Sequence, residues 1–184
     1  MFSYKIRFIK YLSLAFIFFI VDQISKILIK SKFSVYEHGW KTSDGLNEIS
    51  IIEPFLIFKR IDNPGIAFGF DSNGDFSYII TPLTIILTIL IAVYLYKVSN
   101  KKNTLLSLSL AFILGGALGN LFDRLYSNAV VDFIWIGFTH NIRWDYIFNL
   151  ADTFITIGMI MLIISDLIIR KKKKNGRENS KIVQ

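Results

Sequence analysis

The sequence predicts a membrane all-α fold, a bundle of four transmembrane helices carrying a small extracytoplasmic β-sheet and an interfacial loop or helix. Three observations predict it. Of the 184 residues 53% are hydrophobic and only 19% charged, and the mean hydropathy is +0.48, too apolar for an ordinary soluble domain. Four stretches reach the roughly 20 mostly apolar residues that a helix needs to cross a hydrocarbon core. Basic residues gather at the chain ends and in one short loop, the pattern of segments held on one side of a membrane.

The spans are expected at about 11–29, 76–96, 103–122 and 146–169. The second and third contain no charged residue. The first is interrupted by Asp22 and Lys26, the fourth by Asp152 and Asp166, so these two helices carry charge into or near the membrane. Lys5, Arg7 and Lys10 before an apolar run suggest a signal peptide, but no small-x-small cleavage site follows, and the segment is read as a retained span. The expected organisation is one membrane domain over 1–170, with outer segments at about 30–75 and 123–145, and a basic tail at 171–184.

Orientation follows from charge. Lys5, Arg7 and Lys10, then Lys97, Lys101 and Lys102, then the run from Arg170 to Lys174 with Arg177 and Lys181, all fall on one side of a four-span chain. By the positive-inside rule both termini are cytoplasmic. The Arg170 to Lys174 run reads as a stop signal at acidic headgroups, and Asn175 to Gln184 as a frayed polar end.

Glu48 to Ile52 and Phe55 to Arg60 alternate or are β-branched, and Asn63-Pro64-Gly65 and Asn73-Gly74 are turn signals, so a small antiparallel sheet is expected on the outer surface. The aromatics of the second outer segment, Phe133, Trp135, Phe138, Trp144 and Tyr146, fit an interfacial belt.

Several chemistries are excluded. Without cysteine there is no disulfide, thiolate metal site or Cys nucleophile, and His38 and His140 form no HExxH-type pair, so no metal and no cofactor are expected. The net charge of +7 lies beside apolar spans rather than on a folded face, which argues against nucleic acid as a partner. Ser25 and Lys26, as adjacent helical residues, point about 100° apart and do not share a proton readily.

Polar residues from distant segments converge on one depth. Asp22 and Lys26 share a face in the outer half of span one; Asn120, Asp123 and Arg124 end span three; Asn149 and Asp152 open span four; Asp132 lies in the connecting segment. Asp22 with Lys26 and Asp123 with Arg124 are read as structural or substrate-positioning groups. Asp152 has no basic neighbour nearby in sequence, and a carboxylate there is costly unless compensated, which favours a functional reading. Paired with Asp132 it would hold one proton between two carboxylates, one acting as base on water and the other donating to a carbonyl oxygen. At the opposite end Asp166 is expected to pair with Arg170 at i+4.

Five motifs carry a resemblance: Asp22-Gln23-Ile24-Ser25-Lys26, Asn63-Pro64-Gly65-Ile66-Ala67-Phe68, Gly115-Gly116-Ala117-Leu118-Gly119-Asn120-Leu121-Phe122-Asp123-Arg124, Val130-Val131-Asp132-Phe133 and Phe148-Asn149-Leu150-Ala151-Asp152. In this order, over about 11–169, the set closely resembles bacterial lipoprotein signal peptidase (signal peptidase II). The resemblance implies an aspartyl endopeptidase of the inner membrane that removes the signal peptide from diacylglyceryl-modified prolipoproteins, on the N-terminal side of the lipidated cysteine. It implies Asp132 and Asp152 as the catalytic dyad. Asp22, Lys26, Asn63, Gly65, Ala67, Asn120, Arg124, Asn149 and Ala151 match positions that shape and support the site.

The implied partners are the lipidated substrate, membrane lipids and inhibitors of the globomycin type, and the motifs suggest that a single chain, a monomer, holds a complete site. The stretch from Lys26 to Asn63 is longer than the family pattern, and Ile66 stands where a smaller residue is common. Gly115 and Gly119, in small-xxx-small spacing, are expected to admit another helix or the substrate's own.

Two other classes compete. A transporter with Asp22, Lys26 and Asp152 along an ion path should place charge at several depths, whereas here it gathers in one half. A non-catalytic scaffold would leave the paired aspartates unexplained.

Overall fold

The computed structural model describes residues 2–37, 40–41, 46–64, 77–99, 103–139 and 142–182. Helix α1 (Phe2–Lys32) leads into short strands β1 (Tyr36–Glu37) and β2 (Trp40–Lys41), then β3 (Ile49–Ile52) and β4 (Leu56–Asn63). Helices α2 (Ser77–Ser99) and α3 (Thr104–Ser127) follow, then strands β5 (Val130–Gly137) and β6 (Arg143–Phe148) and helix α4 (Leu150–Ile182). The bundle expected from the sequence is present: the described residues hold four helices long and apolar enough to cross a membrane, at Lys5–Lys32, Tyr78–Ser99, Thr104–Ser127 and Leu150–Asn175.

Helix α3 is the axis of the bundle. Of its most apolar stretch 56% is buried by protein, against 22% for α1 and 11% each for α2 and α4. Leu110, Ala111 and Leu114 of α3 meet Tyr11 and Ala15 of α1 and Leu95 and Val98 of α2 in one core. The other faces of α1, α2 and α4 expose Ile17, Ile24, Ile86, Leu90, Ile160 and Ile163, as helices bathed in hydrocarbon do.

Glycine sets how closely the helices approach. A Cβ on Gly115 would stand 2.6 Å from Phe18 Cβ and 2.7 Å from the Ala15 carbonyl oxygen, and one on Gly116 would strike Ala151 and Ile155. The small-residue face is thus filled by α1 and α4 of the same chain, not left open to a substrate helix.

The sheet caps one end of the bundle, with antiparallel strand order β3-β4-β5-β6. Val131 and Phe133 of β5 pack on Ile29 and Phe33 at the end of α1, and the Phe133 ring meets Phe58 of β4 edge-on at 5.7 Å. Strand β4 ends at Asn63, just before Pro64, which has no N–H to continue the ladder.

Three expectations are corrected. The second outer segment is not an interfacial loop or helix but the hairpin β5–β6, completing the sheet. Val130-Val131-Asp132-Phe133 is buried along its whole length, so its β-branched and aromatic residues serve a central strand rather than a headgroup belt. Span four opens at Leu150 rather than 146, because Tyr146-Ile147-Phe148 pairs with β5; a short apolar run does not reveal whether it is strand or helix. The third correction concerns helix ends: α3 runs on to Ser127, closed by Asn128 in the left-handed region (φ 54°), and α4 continues to Ile182 instead of fraying after Asn175.

Candidate functional site

The site lies where the sheet meets the bundle, and it is assembled around two asparagines. Asn149 sits between β6 and α4. Its Oδ1 accepts the backbone N–H of Asp152 at 2.9 Å, and its own N–H reaches Asp152 Oδ2 at 3.4 Å. This is a reciprocal capping box, with Asn149 as the N-cap and Asp152 three residues on. Asp152 therefore stands in the first turn of α4, where unpaired N–H groups favour negative charge.

With its oxygen committed to the backbone, the Asn149 amide nitrogen must point away from α4. It donates to Asp132 Oδ1 at 2.7 Å and to Asn120 Oδ1 at 3.1 Å. One side chain thereby ties β5 to the start of α4.

Asn120 of α3 is oriented by Lys26. An ammonium group only donates, so the amide oxygen must face it, at 3.0 Å, and the Asn120 nitrogen is left to donate to Asp152 Oδ1 at 2.7 Å. Asn63, at the end of β4, donates to Asp132 Oδ2 at 3.1 Å. Three side-chain amides thus aim N–H groups at the two carboxylates.

Beneath them lies a buried ion cluster. Lys26 Nζ is 2.7 Å from Asp22 Oδ2 and 2.8 Å from Asp123 Oδ2, and with Asn120 this satisfies all three of its N–H bonds. Asp22 Oδ1 accepts the Ala151 N–H at 2.8 Å, so a residue of α1 satisfies a free donor at the start of α4. Asp123 Oδ2 accepts the Val131 N–H at 3.3 Å. Gln23 adds donors to Asp22, Asp123 and the Gly119 carbonyl. This cluster, read from the sequence as structural or substrate-positioning groups, binds α1, α3, α4 and β5 into one unit. Among the described residues no buried polar side-chain atom lacks a partner.

Asp132 is 3% exposed, and its carboxyl is pushed up to about 7, by burial first and then by the charge of Asp152. Tyr146 of β6 is pushed up by burial, then by Asp152 and Asp132, so its hydroxyl remains a protonated donor beside both. Arg124 lies in the field of Asp152, Asp132 and Asp123, and its Nη1 reaches the Asn120 carbonyl at 3.4 Å.

Residues 14–168 match the family model described as signal peptidase (SPase) II. The chain belongs to the signal peptidase II family. It is 34% identical over 161 residues to the lipoprotein signal peptidase of Pseudomonas aeruginosa (strain UCBPP-PA14), covering 86% of each chain. It is 35% identical over 166 residues to that of Cellvibrio japonicus (strain Ueda107), covering 89% of each. A bacterial membrane enzyme solved by the in meso method at 2.3 Å superposes with a TM-score of 0.66 at 28% identity, covering 89% of this chain and 91% of that one. This protein is accordingly a protease and a multi-pass membrane protein.

Of the residues singled out in the peptidase sequence, Asp22, Lys26, Asn63, Asn120, Arg124, Asp132, Asn149, Ala151 and Asp152 come together at this one junction. Gly65, Ala67 and the Asn73-Gly74 turn lie outside the described residues, as do His38 and His140. Asp166 does pair with Arg170, at 2.6 Å, but both are exposed and the bridge is at the far end of the bundle. Sequence reasoning missed Gln23, Tyr146 and the role of Asp123. For Asp123 a signal existed, since it follows Asn120 by three residues and must share its helical face.

Proposed function

We propose that the protein removes the signal peptide from prolipoproteins, cutting on the N-terminal side of a cysteine that carries a diacylglyceryl group, with Asp132 and Asp152 activating water between them. The observation that carries this reading is the amide network that holds two acidic side chains together, a buried one from β5 and a half-buried one from α4, with Asp132 near 7 beside Asp152.

The chemistry follows from one shared proton. The ionised carboxylate takes a proton from water as its oxygen attacks the scissile carbonyl carbon, while the protonated partner donates to the carbonyl oxygen. The tetrahedral intermediate then collapses, the C–N bond breaks, and the cysteine amine leaves with a proton returned by the dyad. Asn63, Asn120 and Asn149 hold the carboxylates, and Arg124 and Tyr146 are placed to donate to substrate oxygens.

A lipidated cysteine keeps its acyl chains in the membrane and its peptide bond at the interface. The sheet-capped end of the bundle, where apolar helices give way to strands, supports reading the site at that depth. We take this end as extracytoplasmic and both termini as cytoplasmic, in a bacterial inner membrane, on the distribution of basic residues. One chain supplies every group named, which supports action as a monomer, and a globomycin-type peptide would compete for the same place.

The test is cleavage in detergent of a diacylglyceryl-modified prolipoprotein, with the product N-terminus sequenced by mass spectrometry. Expected are a product beginning at the lipidated cysteine, no cutting of the unlipidated precursor, inhibition by globomycin and full activity in excess chelator. Loss of activity on chelation that added metal restores would overturn the two-aspartate chemistry.

A further inference from the structure

Strand β4 reaches the site through a register shift. Phe58 faces Ile134 and Ile61 faces Asp132, so two residues of β4, Lys59 and Arg60, stand against the single Phe133 of β5. This is a β-bulge, and it reverses which side chains share the face of Asp132. Past the bulge Ile61 and Asn63 lie on that face, and the Asn63 amide reaches Asp132 Oδ2. In an unshifted ladder Arg60 would oppose Asp132, with Asp62 following on the same face, and Asn63 would point to the other side.

Something must hold the bulge, and Arg60 within it is anchored on both sides. Its guanidinium forks onto Asp62, with Nε to Oδ1 at 2.9 Å and Nη2 to Oδ2 at 2.7 Å. Its Nη1 points at the carbonyl oxygens of Lys30 (3.5 Å) and Phe33 (3.4 Å), where α1 ends and its last carbonyls lack helical partners. The guanidinium is largely buried, at 14% side-chain exposure, so the fork is shielded from competing water.

We propose that Arg60 is a positioning residue of the active site: forked onto Asp62 and resting on the end of α1, it pins the β4 bulge whose register delivers the Asn63 amide to Asp132. This rests on the reading of Asp132 as half of the dyad. The side-chain partners of Arg60 are Asp62 and the Lys30 and Phe33 carbonyls, so its effect on Asp132 runs through Asn63. An Asn63 amide that leaves Asp132 removes a donor that favours the ionised carboxylate. The other groups facing Asp132 stay in place: Asp152 and Asn149 at the start of α4, Lys26 of α1, Arg124 of α3 and Tyr146 of β6.

The experiment compares Arg60→Ala, Asn63→Ala and the double variant in full-length protein, with a fluorogenic diacylglyceryl-cysteine peptide and a complete pH profile. Arg60→Ala is expected to lower kcat about tenfold with KM little changed, and to move the alkaline limb of the profile upward by about half a unit or more. Asn63→Ala should do the same, and the double variant should match Asn63→Ala alone. Wild-type kcat and limb in folded Arg60→Ala, or effects that multiply in the double variant, would overturn the proposal. Should Arg60→Ala not fold, Arg60→Lys keeps the charge without the planar fork, and the same two readings apply to it. Failure of the dyad itself is distinguishable, because it shows as undiminished cleavage by Asp132→Asn.

Discussion

Asn149 donates its amide N–H to Asp132 Oδ1 at 2.7 Å, and its amide oxygen accepts the backbone N–H of Asp152 at 2.9 Å. One residue is thus both the cap of α4 and the joint between the two acidic residues, and the two roles separate by substitution. Serine keeps a capping oxygen but has no amide to reach Asp132. Asn149→Ser is expected to melt within a few degrees of wild type yet lose activity on the order of a hundredfold. Asn149→Ala should lose activity similarly and also about 1 kcal/mol of stability. Thermal unfolding beside initial rates reads both.

The Asp132 carboxyl near 7 has two consequences with defined sign. On the proposed dyad chemistry activity needs the shared proton, so kcat/KM is expected to fall as pH rises through about 7 and the pair becomes doubly ionised. For stability, the folded value lies above the unfolded one of 3.8, so folding retains a proton that the unfolded chain releases. Stability from this group is greatest below about pH 4 and declines up to about pH 7. Asp132→Asn should therefore raise the melting temperature by a few degrees at pH 8 and leave it nearly unchanged at pH 4. An equal effect at both pH values would contradict this.

Lys26 is held at 2% side-chain exposure between Asp22 and Asp123. Lys26→Met would leave two buried carboxylates facing each other and undo the orientation of Asn120, a loss expected at about 3–5 kcal/mol. Adding Asp22→Asn and Asp123→Asn should recover much of the stability but not the activity. Yield of monodisperse protein and melting temperature check the first statement, peptide cleavage the second.

Most of the bundle was legible because hydrophobic length is a direct physical requirement of a membrane span. The limits of α4 were not, because Tyr146-Ile147-Phe148 is an apolar run that suits strand or helix alike, and only pairing with β5 decides it. Asn149 and Asp152, three residues apart, carried a capping signature at the true start of the helix. That the polar residues gather at one end of the bundle was legible from their positions along each span. Their partners were not: Asp22 reads as an i+4 partner of Lys26 in sequence, but its other oxygen binds Ala151, 129 residues away. The Arg60 bulge was illegible, since one extra residue in β4 alters no periodicity that a short strand can display.

Gly119 is one of the tight points of that assembly. A Cβ there would strike the Asp22 carboxylate and lie 3.3 Å from the Ala151 side chain. Gly119→Ala is expected to cost about 1–3 kcal/mol and to lower activity, while Leu125→Ala, on an exposed position of the same helix, should change neither. Parallel melting curves and rates for the two variants make the comparison.

The most direct test of the two-aspartate reading is a rate comparison on one lipidated prolipoprotein, using wild type, Asp132→Asn, Asp152→Asn and the double variant, each shown to be folded by its melting curve. Residues that act as one unit do not contribute independently, so each single variant should lose at least about a thousandfold and the double variant scarcely more. Cleavage by either folded single variant at close to the wild-type rate would contradict it.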